Sequence, residues 1–157
     1  MDVAETGDTY RENSQLKAQA FAEKSGLMSI ADDSGLEIKA LNGKPGVHSK
    51  RFFPGSDDDR NQHILDVLRD APDRSAQFVC GISIAYPNSS RVEYFEGVIP
   101  GSISTELTSG EGFAYDKIFI PEGYEKTYAQ LGVEIKNQRS HRGLALEQVK
   151  SFFQKQN

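Results

Sequence analysis

"AQFVCGISIAY", residues 76–86, decides the fold. Ala76, Phe78, Cys80, Ile82, Ile84 and Tyr86 recur at every second position, the period of a strand with one buried face. The turn residues "PNSS" follow, and "RVEYFEGVI" (91–99) resumes the extended pattern, so the stretch predicts a long antiparallel hairpin. Upstream, "LMSIA" (27–31) predicts a short buried strand, and "LEIKA" (36–40) a half-buried one with Leu36, Ile38 and Ala40 inward. "DTYRENSQLKAQAFAEKSG" (8–26) predicts a helix capped by Thr9, with Glu12 completing a capping box and Gly26 as the stop. Leu16, Ala20 and Phe21 are its expected inward face. "SDDDRNQHILDVLRDAP" (56–72) predicts a second helix whose early Asp57, Asp58 and Asp59 suit the helix dipole. "SHRGLALEQVKSFFQ" (140–154) predicts a last helix capped by Ser140, with Ala145, Val149, Phe152 and Phe153 inward. This order predicts an α/β fold, a mixed sheet with helices packed on it, in one domain over residues 1–157.

The composition narrows the function classes. A chain of 157 residues with 37% hydrophobic and 26% charged residues is an ordinary globular sequence. A net charge of −5 argues against a general nucleic-acid coat, yet leaves room for a small anion in a local cationic pocket. The single cysteine, Cys80, has no internal disulfide partner and reads as a small buried hydrophobe. No stretch approaches the ~20 apolar residues of a membrane span. "MDVAETGDTY" lacks the pattern of a signal peptide, so the cytosol is the expected compartment.

Four constellations carry chemistry. "ADDSGLEI" (31–38) puts Asp32 and Asp33 side by side, where a divalent cation would offset their repulsion. Carboxylates there could hold Mg²⁺ and take a proton from its water, or form an exposed Asx turn at a strand end. Glu5, in "ETGDT", offers a further metal carboxylate, whereas Glu12 is claimed by the helix cap. "GEGFAYDKIF" (110–119) either presents aromatics and an acid to a base or tucks its rings into the core. "IKNQRSHRG" (135–143) gathers Lys136, Arg139, His141 and Arg142 at a helix start, where the dipole prefers acids. That conflict is a functional hint.

Taken together, "ETGDTYRENSQLKA" (5–18), "ADDSGLEIKALNGKPGVHSKRF" (31–52), "GEGFAYDKIFIPEGYEKTYAQL" (110–131) and "KNQRSHRGLAL" (136–146) resemble the Ham1-type inosine triphosphate pyrophosphatase family, which acts on non-canonical purine nucleoside triphosphates. The resemblance implies an elongated α/β fold with a mixed sheet in two lobes around a cleft. It implies hydrolysis of ITP, dITP or XTP to the monophosphate and pyrophosphate, with Mg²⁺, in a homodimer. Asp33 matches the catalytic general base and a metal-site residue, with Asp32 and Glu5 as the further metal carboxylates. Ser34, Lys17 and Lys136 match substrate contacts, and Phe113, Ala114, Tyr115, Asp116, His141 and Arg142 match the purine site. Two departures stand out within the loop: Ala114 where family members have Gly, and Lys117 where they usually have Pro. An alanine is strained there only if the position needs a positive φ. The family's opening strand and S/T-G-N-x-x-K phosphate loop have no match here, which reads as an N-terminally truncated domain. A catalytically impaired nucleotide-binding or structural remnant is the alternative.

Overall fold

A computed structural model describes all residues 1–157. Five strands form one sheet in the order β2-β1-β3-β4-β5, and every pairing is antiparallel. They are β1 (Ser29–Ile38), β2 (Lys44–Pro45), β3 (Ser75–Ala85), β4 (Val92–Ile103) and β5 (Phe119–Pro121). The helices are α1 (Tyr10–Ser25), α2 (Asp57–Val67), α3 (Tyr128–Leu131), α4 (Val133–Gln138) and α5 (His141–Lys155). The predicted hairpin is β3–β4, with Phe78 opposite Ile99 and Ile82 opposite Phe95. The α/β architecture expected from the sequence is met, with an antiparallel sheet where a mixed one was expected, because no helix connects two neighbouring parallel strands. No helix is long and apolar enough to cross a membrane.

Two predicted strands are one. Residues 29–38 run unbroken through Asp32-Asp33-Ser34-Gly35, so the Asx-turn reading fails. The turn signal is overridden because each of these residues pairs with β3, Asp33 opposite Gly81 and Ser34 opposite Cys80. The ladder satisfies backbone groups that a local turn would otherwise claim.

The inward face of α1 also differs from expectation. Ala18 and Ala22 are buried, whereas Leu16 is 38% and Phe21 39% exposed. Small residues let α1 lie close on the sheet, against Ala85, Ala31 and Val92, and this outweighs the pull of larger apolar groups. Thr9 caps the helix by accepting from the Glu12 N–H. The Glu12 carboxylate accepts from Asp8 N–H at 2.7 Å, one residue before the predicted partner. Gly26 ends the helix at φ 69°.

On the opposite face the core divides. Leu36, Ile38, Phe78, Ile99 and Phe119 pack with Ile64, Leu65 and Leu68 of α2 and its flank, and with Tyr115 and Tyr128. Cys80, Ile82 and Ile84 pack with Ala145 and Val149 of α5. A cleft opens beside the first cluster, over Ser34–Leu36 of β1.

Candidate active site

Strand alternation sends Asp32 and Asp33 to opposite faces of the sheet. Asp33 faces α1, where its carboxylate accepts from Asn13 Nδ2 at 3.1 Å and from the Ser34 N–H at 3.1 Å. Asp33 is buried, and that burial pushes its carboxyl above the usual carboxylate range. Nearby, Lys17 Nζ lies 2.5 Å from Glu5 and holds the Glu5 carboxyl below the usual range. Glu5, Lys17, Asp33, Ser34, Lys50 and Arg51 line one cavity of about 500 Å³. With Asp2 also on its wall, three carboxylates and three cationic side chains there suit a polyanion and a divalent ion.

Asp32 does not join them. Its carboxylate accepts from Arg142 Nη2 at 2.9 Å and Nε at 3.2 Å, on the α5 side. The like-charge pair expected from the sequence is therefore relieved by the pleat, and the Asp32 charge is balanced by a guanidinium.

A second cavity of about 290 Å³ opens on that side. It brings together Ser34, Phe113, Ala114, Tyr115, Asp116, Lys136, His141 and Arg142, eight residues expected at one substrate site. Lys136 Nζ is 2.6 Å from the buried Asp116 carboxylate and 4.0 Å above the Phe113 ring. Lys136 thus serves the aromatic cavity, away from Lys17. Tyr115 is mainly structural, buried in the core with its hydroxyl donating to the Ser49 carbonyl. Phe113 is 64% exposed, so its ring is free to cover a ligand.

His141 stacks on Phe78 with ring centroids 4.9 Å apart. Burial, reinforced by Arg142 and Lys136, pushes its pKa down to about 4. The imidazole is neutral near pH 7 and can donate from one nitrogen only. Its Nδ1 is buried without a partner, which leaves Nε2 as the ligand-facing nitrogen.

Glycines make these approaches possible. A Cβ on Gly35 would sit 2.1 Å from the Gly46 carbonyl oxygen, and one on Gly97 2.1 Å from that of His141. The start of α5 therefore rests directly on β4, which brings His141 and Arg142 over the middle of β1.

Ser34 and Lys50 line both cavities and join them. Sequence reasoning missed Lys50, Arg51 and Asn13. The adjacent cations of "HSKRF" (48–52) were a usable signal, and so was Asn13, a weak helix former past the capping position in the first turn of α1.

Sheet, cleft and charge distribution define an α/β protein whose cleft fits a ligand with one anionic and one aromatic part. The chain belongs to the Ham1 family, whose model matches residues 1–152. It is 43% identical to a dITP/XTP pyrophosphatase of Staphylococcus epidermidis, over 98% of this chain and 79% of that protein. It is 41% identical to one of Acholeplasma laidlawii, over 92% of this chain and 72% of that protein. The structure of the Staphylococcus aureus Ham1 protein superposes with a TM-score of 0.94 at 41% identity, covering 100% of this chain and 82% of that one.

Proposed function

We propose that this chain hydrolyses the purine nucleoside triphosphates dITP, ITP and XTP to the monophosphate and pyrophosphate, clearing them from the cytosolic nucleotide pool. The observation that carries this reading is the pair of cavities joined at Ser34 and Lys50, one cationic and carboxylate-lined, the other aromatic with donors. Its family and relatives support the same chemistry.

Asp33 is the general base. Its raised pKa brings its basicity closer to the working pH, where a carboxylate abstracts a water proton more effectively. The water attacks the α-phosphorus and pyrophosphate leaves. Lys17, Lys50 and Arg51 are placed to offset the charge that develops on the phosphates. Glu5 and Asp33 fit a Mg²⁺ site, because Mg²⁺ in phosphate sites uses one or two protein carboxylates and keeps oxygen ligands from substrate and water. When bound, the ion would neutralise phosphate charge there. Asp32 stands outside this set.

In the aromatic cavity, the Phe113 ring stacks on the base. The neutral His141 and the Arg142 guanidinium donate to the 6-oxo group of hypoxanthine or xanthine. Adenine offers an amino donor at that position and leaves those donors unpaired. A homodimer is the assembly this reading carries.

The test is pyrophosphate release from dITP, ITP, XTP, ATP and GTP, with and without Mg²⁺, alongside sedimentation. Preference for the 6-oxo, non-guanine bases with Mg²⁺ is expected. Equal turnover of ATP would overturn the base assignment. Tight binding of ITP without turnover would favour a nucleotide-binding remnant.

A further inference from the structure

Ala114 sits at φ 51°, a left-handed conformation that costs an L-residue with a Cβ. It lies in the segment that carries Phe113 and Asp116 into the aromatic cavity. Both of its backbone polar groups are gripped by side chains of α2. The Ala114 N–H donates to Asp57 Oδ2 at 2.9 Å, and its carbonyl accepts from Asn61 Nδ2 at 3.0 Å.

The grip is itself braced. Arg60 holds the other oxygen of Asp57 at 2.9 Å and donates to the Phe53 and Gly55 carbonyls. Asp58 takes Lys117 at 2.8 Å, pinning the far end of the loop. The three aspartates that suit a helix dipole thus have three separate partners, since Asp59 forms the capping box with Ser56. Asn61 is the more telling residue. It is fully buried in mid-helix, where asparagine is a poor helix former, and its Oδ1 has no partner. A leucine would be cheaper there unless the amide were needed for Ala114.

We propose that Asp57 and Asn61 are positioning residues for base recognition: a two-point clamp holds Ala114 left-handed and so orients Phe113 and Asp116 toward Lys136. The inference rests on the reading of the aromatic cavity as the base site. The clamp acts on the loop, and the loop acts on the ligand. A glycine at position 114 adopts this conformation without strain and depends less on the clamp.

The experiment uses the full chain with Asn61→Leu, Asp57→Ala, Ala114→Gly and the double variants. Three quantities are read: hydrogen exchange of the segment 110–118, steady-state kinetics with dITP, and melting temperature. Asn61→Leu keeps the volume and removes both the donor and the orphan acceptor, so folding should survive if Asp57→Ala does not. Loss of either grip should speed exchange in 110–118 while leaving β3 and α5 protected. KM for dITP should rise by ~10-fold, the effect of one hydrogen bond to a charged or buried group, with kcat falling much less. Adding Ala114→Gly should restore part of the KM. Additive effects of the 61 and 114 changes, or a uniform loss of protection with kcat and KM falling together, would overturn the clamp. If no purine triphosphate is turned over by the parent chain while exchange still speeds locally and Ala114→Gly slows it, the clamp stands and the substrate reading falls.

Discussion

Asp32 and Asp33 are neighbours in the chain and point to opposite faces of one strand, Asp32 to Arg142 of α5 and Asp33 to Asn13 of α1. The pleat turns a repelling dipeptide into two separately compensated charges. One anchors the start of α5 to β1, and the other is left half-compensated beside Lys17, where a proton acceptor is useful.

Asp33→Asn should cost at least ~10²-fold in kcat for dITP, the usual worth of a positioned base. The same variant should be more stable than the parent at neutral pH. Burial raises the folded pKa of Asp33 above its unfolded value, so the ionised group opposes folding above both values and does not below them. The gain in melting temperature should therefore shrink as the pH falls through the carboxylate range. A variant that keeps near-normal turnover, or that melts lower at neutral pH, contradicts this assignment.

The acid limb of kcat/KM should report Asp33. Because its pKa is raised, activity should fall at a higher pH than an ordinary carboxylate would give. His141, pushed down to about 4, adds no titration near neutrality. A limb centred near the ordinary histidine range and abolished by His141→Gln would reassign the proton acceptor.

Arg142→Ala should lower kcat/KM for ITP more than for ATP, narrowing the gap between them. The Asp32–Arg142 pair is about half exposed on both sides, so Asp32→Ala should cost only ~0.2–1 kcal/mol in stability, the range of solvent-screened pairs. Equal losses for ITP and ATP would make Arg142 a phosphate or structural residue.

Gly97→Ala puts a methyl group where the His141 carbonyl oxygen now rests. The first turn of α5 must lift from β4, at a cost of ~1–3 kcal/mol for overpacking. Thermal unfolding should show that loss, and KM for dITP should rise because His141 and Arg142 move with the turn. An unchanged KM would separate α5 from the site.

The edge of β1 from Ser29 to Leu36 has no strand beside it opposite β3, and Leu27, Met28 and Ile30 are exposed there. An unpaired edge with apolar flanks favours association. Sedimentation velocity should show concentration-dependent self-association that Ile30→Lys weakens. A monomer at all concentrations refutes this.

What was legible in the residues is what depends on near neighbours. Period-two alternation in 76–86 marks the hairpin, because successive side chains on a strand must alternate faces. Thr9 and Ser140 mark two helix starts, because a hydroxyl at that position meets an N–H three residues on. That the residues of 110–119 and 135–143 belong beside 31–38 was implied by the family resemblance of the combined motifs, and the structure gathers them around one cavity.

Tertiary structure alone decided the rest. Whether Asp-Asp-Ser-Gly is a turn or a strand depended on β3, which lies 48 residues away at the Asp33–Gly81 pair. Whether α1 turns alanine or leucine inward depended on how closely it approaches the sheet. The partner of Asp32 lies 110 residues away, and the clamp of Asn61 on Ala114 spans 53. Local propensity favours a turn at Asp-Asp-Ser-Gly and does not separate the two faces of α1. The long-range hydrogen bonds and burial that choose between them exist only once the sheet has formed.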